Sequence, residues 1–192
     1  MPLQNRVTPF GEIVADPARG TMMGNRGGRL HDDERRLGRR RSVGRAWICC
    51  RLSFKDRRRE VMAPRRYTEL FFLDEATALA AGHRPCFECR RRDAVRFRDA
   101  CGAFSAYEID RALEGERQGP KPETNVALLP DGAMVARDGA AWLVWRGALR
   151  RWSFAGYGGA QPAAGRAALL TPKTTVGALG RGYVPAVHPS LA

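Results

Sequence analysis

Five cysteines and three histidines carry most of the chemical potential of this 192-residue chain. Cys86 and Cys89 are separated by two residues in Arg84-Pro85-Cys86-Phe87-Glu88-Cys89-Arg90. That spacing lets two thiolates reach one Zn2+ at about 2.3 Å each, half of a tetrahedral site. The same spacing serves thiol–disulfide exchange, but there the pair opens a helix after a strand, within an α/β pattern. Here the pair follows a short helix and the turn Gly82-His83-Arg84-Pro85, an order that favours a metal. Cys49 and Cys50 are adjacent on a segment that reads as a strand. Successive strand side chains face opposite sides, so only one of them can join Cys86 and Cys89. Cys101 falls on the apolar face of a helix and reads as core. His31-Asp32-Asp33-Glu34 is the one carboxylate–histidine cluster in the sequence. It is the only candidate for a metal-dependent hydrolase such as a nuclease, and its acidic residues read as a solvated loop.

Positive charge is the second feature. The chain holds 33 Lys and Arg against 20 Asp and Glu, a net of +13, and nearly all the cations are arginine. The charge is uneven: residues 1–66 carry +10, residues 67–125 carry −2 and residues 126–192 carry +5. A basic half suits a polyanionic partner, because phosphate contacts gain from counterion release. Arg39, Arg40 and Arg41 form the strongest local run for phosphate contact. Arg51, Arg84, Arg90 and Arg91 flank the cysteines, where they would offset thiolate charge and hold phosphates. Nucleic acid is the expected partner. No apolar run approaches the roughly 20 residues that span a membrane. The first residues lack a charged-then-apolar leader pattern. Both observations, with unpaired thiols, point to the cytoplasm.

The elements that must place these residues are short. Residues 6–14 read as a strand or extended arm broken by Pro9 and Gly11. Residues 18–29, with four glycines, read as a loop, and Gly24–Arg29 lacks the strand–loop–helix setting and Lys-Ser/Thr of a phosphate-binding loop. Strands are expected at 46–53, 59–62 and 68–72, as an antiparallel meander with a turn at Lys55-Asp56-Arg57. Asp74 caps a helix running to Ala81, with Gly82 as its stop and Pro85 blocking continuation. A second helix is expected over 91–102, with Ala94, Phe97 and Cys101 on one face, and a third from Ser105 or Glu108 to Glu116. Gln118–Thr124 reads as a linker. Strands follow at 133–137, 141–146 and 149–154, joined by hairpin signals at Asp138-Gly139 and Arg146-Gly147. Trp142, Trp145 and Trp152 on these strands read as core positions ahead of base-stacking ones. Thr171-Pro172 is expected to open a last helix. Ala78-Leu79-x-x-Gly82-His83-x-Pro85 recurs as Ala178-Leu179-x-x-Gly182-Tyr183-x-Pro185, which reads as shared helix-ending grammar.

Phe71-Phe72-Leu73-Asp74-Glu75-Ala76, followed by Ala80-Ala81-Gly82-His83-Arg84-Pro85-Cys86-Phe87-Glu88-Cys89-Arg90, resembles the end of the zinc-binding domain of the Ada DNA-repair family. The resemblance covers roughly residues 45–92 and is specific over 71–90. It implies a Zn2+ held by Cys86, Cys89 and two upstream ligands, with DNA as the favoured nucleic acid. In that family the upstream pair is two cysteines separated by three residues, whereas here Cys49 and Cys50 are adjacent. The resemblance selects Cys50, because Ada-like domains often carry a small apolar residue before that cysteine. It also offers His31 as the fourth ligand, since some Ada-like zinc domains place a histidine ahead of the cysteines. His83 falls on the family's aromatic turn position and reads as packing.

The expected fold class is α+β: a small antiparallel sheet with short helices around a zinc knuckle, then a small β-meander with a terminal helix. The expected division is 1–117 for the zinc-binding part with its basic arm and helical extension, 118–125 for a linker and 126–192 for a β-rich module. The expected function is zinc binding, with the zinc mainly structural and an Arg-rich surface contacting nucleic acid. Ada-like methyl transfer to a zinc-bound cysteine and a metal-dependent nuclease are the alternatives.

Overall fold

The computed structural model describes residues 1–56 and 60–192. Among them the architecture is α+β, with two six-stranded sheets and four helices. β1 (Gln4–Val7) and β2 (Ile13–Ala15) pair as an antiparallel hairpin, so the expected extended arm is two strands. β3 (Met22–Arg26), β4 (Trp47–Arg51), β5 (Leu70–Phe72) and the short β6 (Arg84–Pro85) complete the first sheet, in the order β2-β1-β5-β3-β4-β6.

Three expectations are corrected here. The stretch 18–29 is not a plain loop, because β3 lies within it and sits between β4 and β5. Gly24 belongs to the strand for a steric reason: a Cβ there would stand 2.0 Å from the Ile48 carbonyl oxygen. Consequently β4 and β5 are not neighbours in a meander. The strand expected over 59–62 is also absent where it can be seen, since Glu60–Met62 adopts irregular and turn structure. Arg59, and Arg57 of the expected Lys55–Arg57 turn, lie outside the described residues.

α1 (Glu75–Ala80) is the centre of the molecule. Asp74 caps it, accepting from the Thr77 amide at 2.9 Å, and every residue of the helix is buried. A helix buried on all sides cannot be amphipathic, and its alanines let neighbours approach closely. Ala78 and Ala81 pack with Val7, Ile13, Cys49, Leu70 and Phe72 of the first sheet. Ala76 and Ala80 pack with Met134, Ala141, Leu143 and Tyr157. Leu79 packs with Phe97, Ile109, Leu113 and Leu179. α2 (Arg91–Cys101) and α3 (Ala106–Gln118) supply Phe97, Ile109 and Leu113 of the last group, and a Ser105–Glu108 capping box fixes the start of α3.

The second sheet contains β7 (Glu123–Asn125), β8 (Met134–Arg137), β9 (Ala140–Trp145), β10 (Ala148–Ser153), β11 (Gly156–Pro162) and β12 (Arg166–Leu169), in the order β11-β10-β9-β8-β12-β7. The last residues of the expected linker thus form an edge strand. Both hairpins use the same backbone: Asp138 and Gly139, like Arg146 and Gly147, have positive φ. β11 escapes the sequence reading because its Gly-Tyr-Gly-Gly-Ala-Gln-Pro composition is poor in strand formers, and as an edge strand it tolerates them. α4 (Lys173–Gly180) starts one residue later than expected. Thr171 does not cap it; its hydroxyl accepts from the Met134 amide. The repeated helix ending is structural grammar. His83 and Tyr183 each donate an amide to the carbonyl of Ala78 and Ala178, and Gly82 and Gly182 each have positive φ.

Buried polar bonds join α1 to the second sheet and to the chain after α4. The Asp74 carboxylate also accepts from Thr77, Tyr157 and the His188 amide. The Glu75 carboxylate accepts from Arg90 at 2.7 Å, Tyr183 at 2.5 Å and the Ala186 amide at 2.8 Å. Trp152 donates to Thr77, and Trp142 and Trp145 pack into the core clusters, so the tryptophans are packing residues.

Candidate metal centre

Strand alternation separates the two adjacent cysteines as expected. Cys49 points into the core between the first sheet and α1, is fully buried and takes a 3.6 Å contact from Arg90. Cys50 points to the opposite face with Ile48, beside Met23 and Asn25 of β3. β6 then lies parallel to β4, and the Cys86 amide donates to the Cys49 carbonyl at 2.9 Å. This ladder brings the Cys-x-x-Cys turn alongside Cys50.

The Sγ atoms of Cys50, Cys86 and Cys89 all lie within 4.8 Å of one another, and no other described histidine, cysteine or carboxylate joins the group. Four ligands at about 2.3 Å around a tetrahedral Zn2+ stand about 3.8 Å apart, so the spacing suits an ion of this kind. Backbone amides orient two of the sulfurs: Glu88 donates to Cys86 and Arg51 to Cys89, each at 3.4 Å. Among the described residues no backbone amide donates to Cys50. Hydrogen bonds from Cys50 and then Cys89 push the Cys86 thiol far below its ordinary range, while the same bonds and burial push Cys50 up. Three thiols this close cannot all ionise side by side, and a cation is what would let them. The three cysteines line a cavity of about 410 Å3, walled by Met23, Phe54, Tyr67, Glu69 and Phe71 among others. The protein thus offers three sulfurs from one side, and among the described residues no fourth ligand joins them.

His31 is placed elsewhere. Its Nδ1 meets the Thr68 hydroxyl at 2.6 Å and its Nε2 the Ala63 carbonyl at 3.3 Å, so both ring nitrogens hold the loop together. Cys101 is half-buried against the α1–α3 core, with burial raising its pKa to about 11. Asp32, Asp33 and Glu34 form ion pairs with Arg36 and Arg29 rather than a hydrolytic cluster.

The arginines divide into two classes. Arg39, Arg40, Arg41, Arg51 and Arg91 are exposed. Arg84 and Arg90 are not surface contacts, which corrects their assignment. Arg84 is buried in a two-point ion pair with Asp110, both bonds at 2.8 Å. Arg90 is buried against Glu75, with Asp93 at 3.0 Å. Both follow from position, since residues that hold the Cys-x-x-Cys turn onto α1 and α3 must face inward.

The cavity wall had no sequence signature. Met23 and Asn25 lie in the stretch read as a loop, and Tyr67 and Glu69 precede β5 without a motif. No protein-family model matches the sequence, and comparison with curated proteins and with solved structures finds no match.

Proposed function

We propose that this chain is a zinc-binding protein in which Cys50, Cys86 and Cys89 hold one Zn2+ and exposed arginines nearby contact nucleic acid. The observation that carries the metal reading is the convergence of three Sγ atoms at a cavity wall, with no carboxylate among them. An all-sulfur set favours Zn2+ over hard cations such as Mg2+ or Ca2+. Zn2+ held this way would tie β4 to the turn before α2 and would supply a Lewis acid open to the cavity. Arg51 lines that cavity, Arg91 opens α2 just after the turn, and Arg39–Arg41 extend the positive surface. Guanidinium groups there suit phosphate oxygens. Metal analysis of the purified chain tests the first part, with one zinc per chain and three sulfur neighbours in the zinc-edge spectrum expected. A chain without metal that carries a Cys86–Cys89 disulfide would overturn it. Binding to DNA that falls steeply with salt tests the second part, and salt-independent or absent binding would remove it.

One observation favours a second reading, methyl transfer of the Ada type, suggested by the resemblance at residues 71–90. Cys50 is partly buried, lines the cavity, and alone of the three sulfurs receives no amide from the described backbone. Such donors withdraw charge from sulfur, so once a metal ion has replaced its proton Cys50 is the thiolate whose charge no described amide draws off. In this reading Cys50 Sγ attacks the methyl carbon of a phosphotriester. A sulfur–carbon bond forms and the carbon–oxygen bond breaks, its electron pair leaving with the phosphodiester anion. Mass spectrometry after incubation with methylated DNA would show one methyl group on the Cys50 peptide; an unmodified peptide excludes it.

A further inference from the structure

A second cavity lies on the other side of the β3–β4 ladder. It is about 160 Å3 and is lined by Gly11, Arg26, Arg41, Trp47, Arg117 and Lys121, among others. No described carboxylate lines it. Four cationic side chains therefore meet at one small hollow.

Among the described residues the two innermost cations have no counter-ion bonded to them. Arg26 is 1% exposed, yet its partners are all neutral. Nε donates to His83 Nε2 at 3.3 Å, Nη2 to the Gly11 carbonyl at 2.9 Å and Nη1 to the Arg41 carbonyl at 3.4 Å. His83 Nδ1 lies 3.2 Å from the Ala78 carbonyl, so the ring is neutral with its proton there, and Nε2 is the acceptor. Arg117 donates Nε to Gly82 and Nη1 to Arg45, both through carbonyls, while its Nη2 is buried with no hydrogen-bond partner. Both guanidinium groups stand over the Trp47 ring, at 3.9 and 4.3 Å. The carboxylates near Arg117 are committed elsewhere: Asp110 to Arg84, Glu114 to Arg45 and Glu116 to Thr174. Burial first, then mutual repulsion, pulls Arg26 down to about 9. Burial likewise pulls Arg117 down to about 10. A fold that gathers buried cations without partners has room for an anion.

We infer that this pocket binds a phosphate group, held by Arg117 and Arg26 and closed at the rim by Arg41 and Lys121. The planar guanidinium fork matches tetrahedral oxyanions in two-point contact. The hollow is smaller than the roughly 300 Å3 at which drug-sized ligands begin, so it takes the phosphate and not an attached base. The site is independent of the cysteine cluster, which lies on the opposite face of the ladder.

The test is calorimetric titration of inorganic phosphate into the zinc-loaded chain in a low-salt, phosphate-free buffer. Saturable binding of one phosphate per chain is expected, with sulfate competing and chloride at equal ionic strength unable to replace it. Arg117→Gln keeps the Cβ–Cγ–Cδ stem while removing the guanidinium and should weaken binding about tenfold or more, the loss of one charge-assisted bond. Lys121→Gln, at the rim, should weaken it by a smaller factor and cannot fail through the core. Zinc content measured on the same samples should be unchanged, so the two readings fail separately. Absence of saturable phosphate binding by the unaltered chain, or equal binding by Arg117→Gln, overturns the proposal. Competition identifies the source. Displacement by a 5′-phosphorylated but not a 5′-hydroxyl oligonucleotide assigns the site to a strand end. Displacement by both assigns it to backbone phosphates, and displacement by neither to a free phosphate or small phosphomonoester.

Discussion

The strands β3 and β4 carry two sites of opposite character. On one face Cys50 joins Cys86 and Cys89, three sulfurs that become anionic when a cation arrives. On the other face, near Arg26 and Trp47, cations gather around a hollow with no carboxylate. The sulfur group contains no cation to balance its thiolates, and the hollow contains no described carboxylate to balance its guanidinium groups. Alternation along the strand produces the contrast, since Ile48 and Cys50 face one way and Trp47 and Cys49 the other. Where the fold intends charge to be neutral it supplies the partner, as with Arg84–Asp110 and Arg90–Glu75. The unmatched groups at the two cavities therefore stand out as ligand sites.

The largest effect should come from the sulfur side. Cys86→Ser and Cys50→Ser should each lose bound zinc, by at least about 100-fold in affinity, since a site of three ligands reduced to two loses most of its hold. Cys49→Ser should keep full zinc content, because Cys49 faces the core, but should melt earlier. Zinc measurement and thermal unfolding on the three variants read both effects. Equal zinc loss in Cys49→Ser and Cys50→Ser would erase the division between the two faces.

The next effect separates paired from unpaired arginines. Arg84→Gln leaves Asp110 buried without its partner and should cost about 3–5 kcal/mol. Arg117→Gln removes a half-buried charge that has no counter-ion among the described residues and should cost much less in phosphate-free buffer. Denaturant unfolding compares them, and a larger cost at Arg117 than at Arg84 would show that the hollow is held by that cation in the absence of any anion.

Sequence and structure agree best where local chemistry decides. The Asp74 cap, the Gly82 stop and the Asp138-Gly139 turn are all written in neighbouring residues, and all are found; the start of the third helix, open between Ser105 and Glu108, is settled by a capping box of those two residues. Three of the site's sulfurs were legible for the same reason: a two-residue spacing and one strand's alternation. His31 was not, because its partners Thr68 and Ala63 are distant in sequence and nothing local reveals that both ring nitrogens are taken. β3 was hidden by glycines that permit close approach and look like loop signals. That same stretch lacks the setting of an anion-wrapping backbone loop. The anion chemistry there belongs to the Arg26 side chain, and its partner Arg117 lies 91 residues away, on a helix face that reads simply as polar.

His31→Ala sharpens the boundary of the sulfur site. It should leave zinc content unchanged and cost about 1–3 kcal/mol for the lost buried hydrogen bonds. Loss of zinc in this variant would return His31 to the ligand set.

The smallest effect concerns pH at the cationic face. Burial, then Arg26 and Arg117, holds His83 well below its ordinary range, so the folded chain keeps it neutral. The unfolded chain protonates it near about 6.5. A base whose folded pKa is depressed gives stability that is complete above the unfolded value and is lost as pH falls below it, because the unfolded state then binds the extra proton. Thermal stability should therefore fall progressively below about pH 6.5, with part of that slope missing in His83→Gln. His83 faces Trp47 at 5.1 Å and Phe72 at 4.7 Å, with Arg26 on its Nε2 and no carboxylate bonded to the ring. Protonation would thus place a third cation in the group and remove the acceptor that holds Arg26. Matching slopes in the two chains would mean that His83 accepts a proton in the folded state, and that the cationic face already has an anion to balance it.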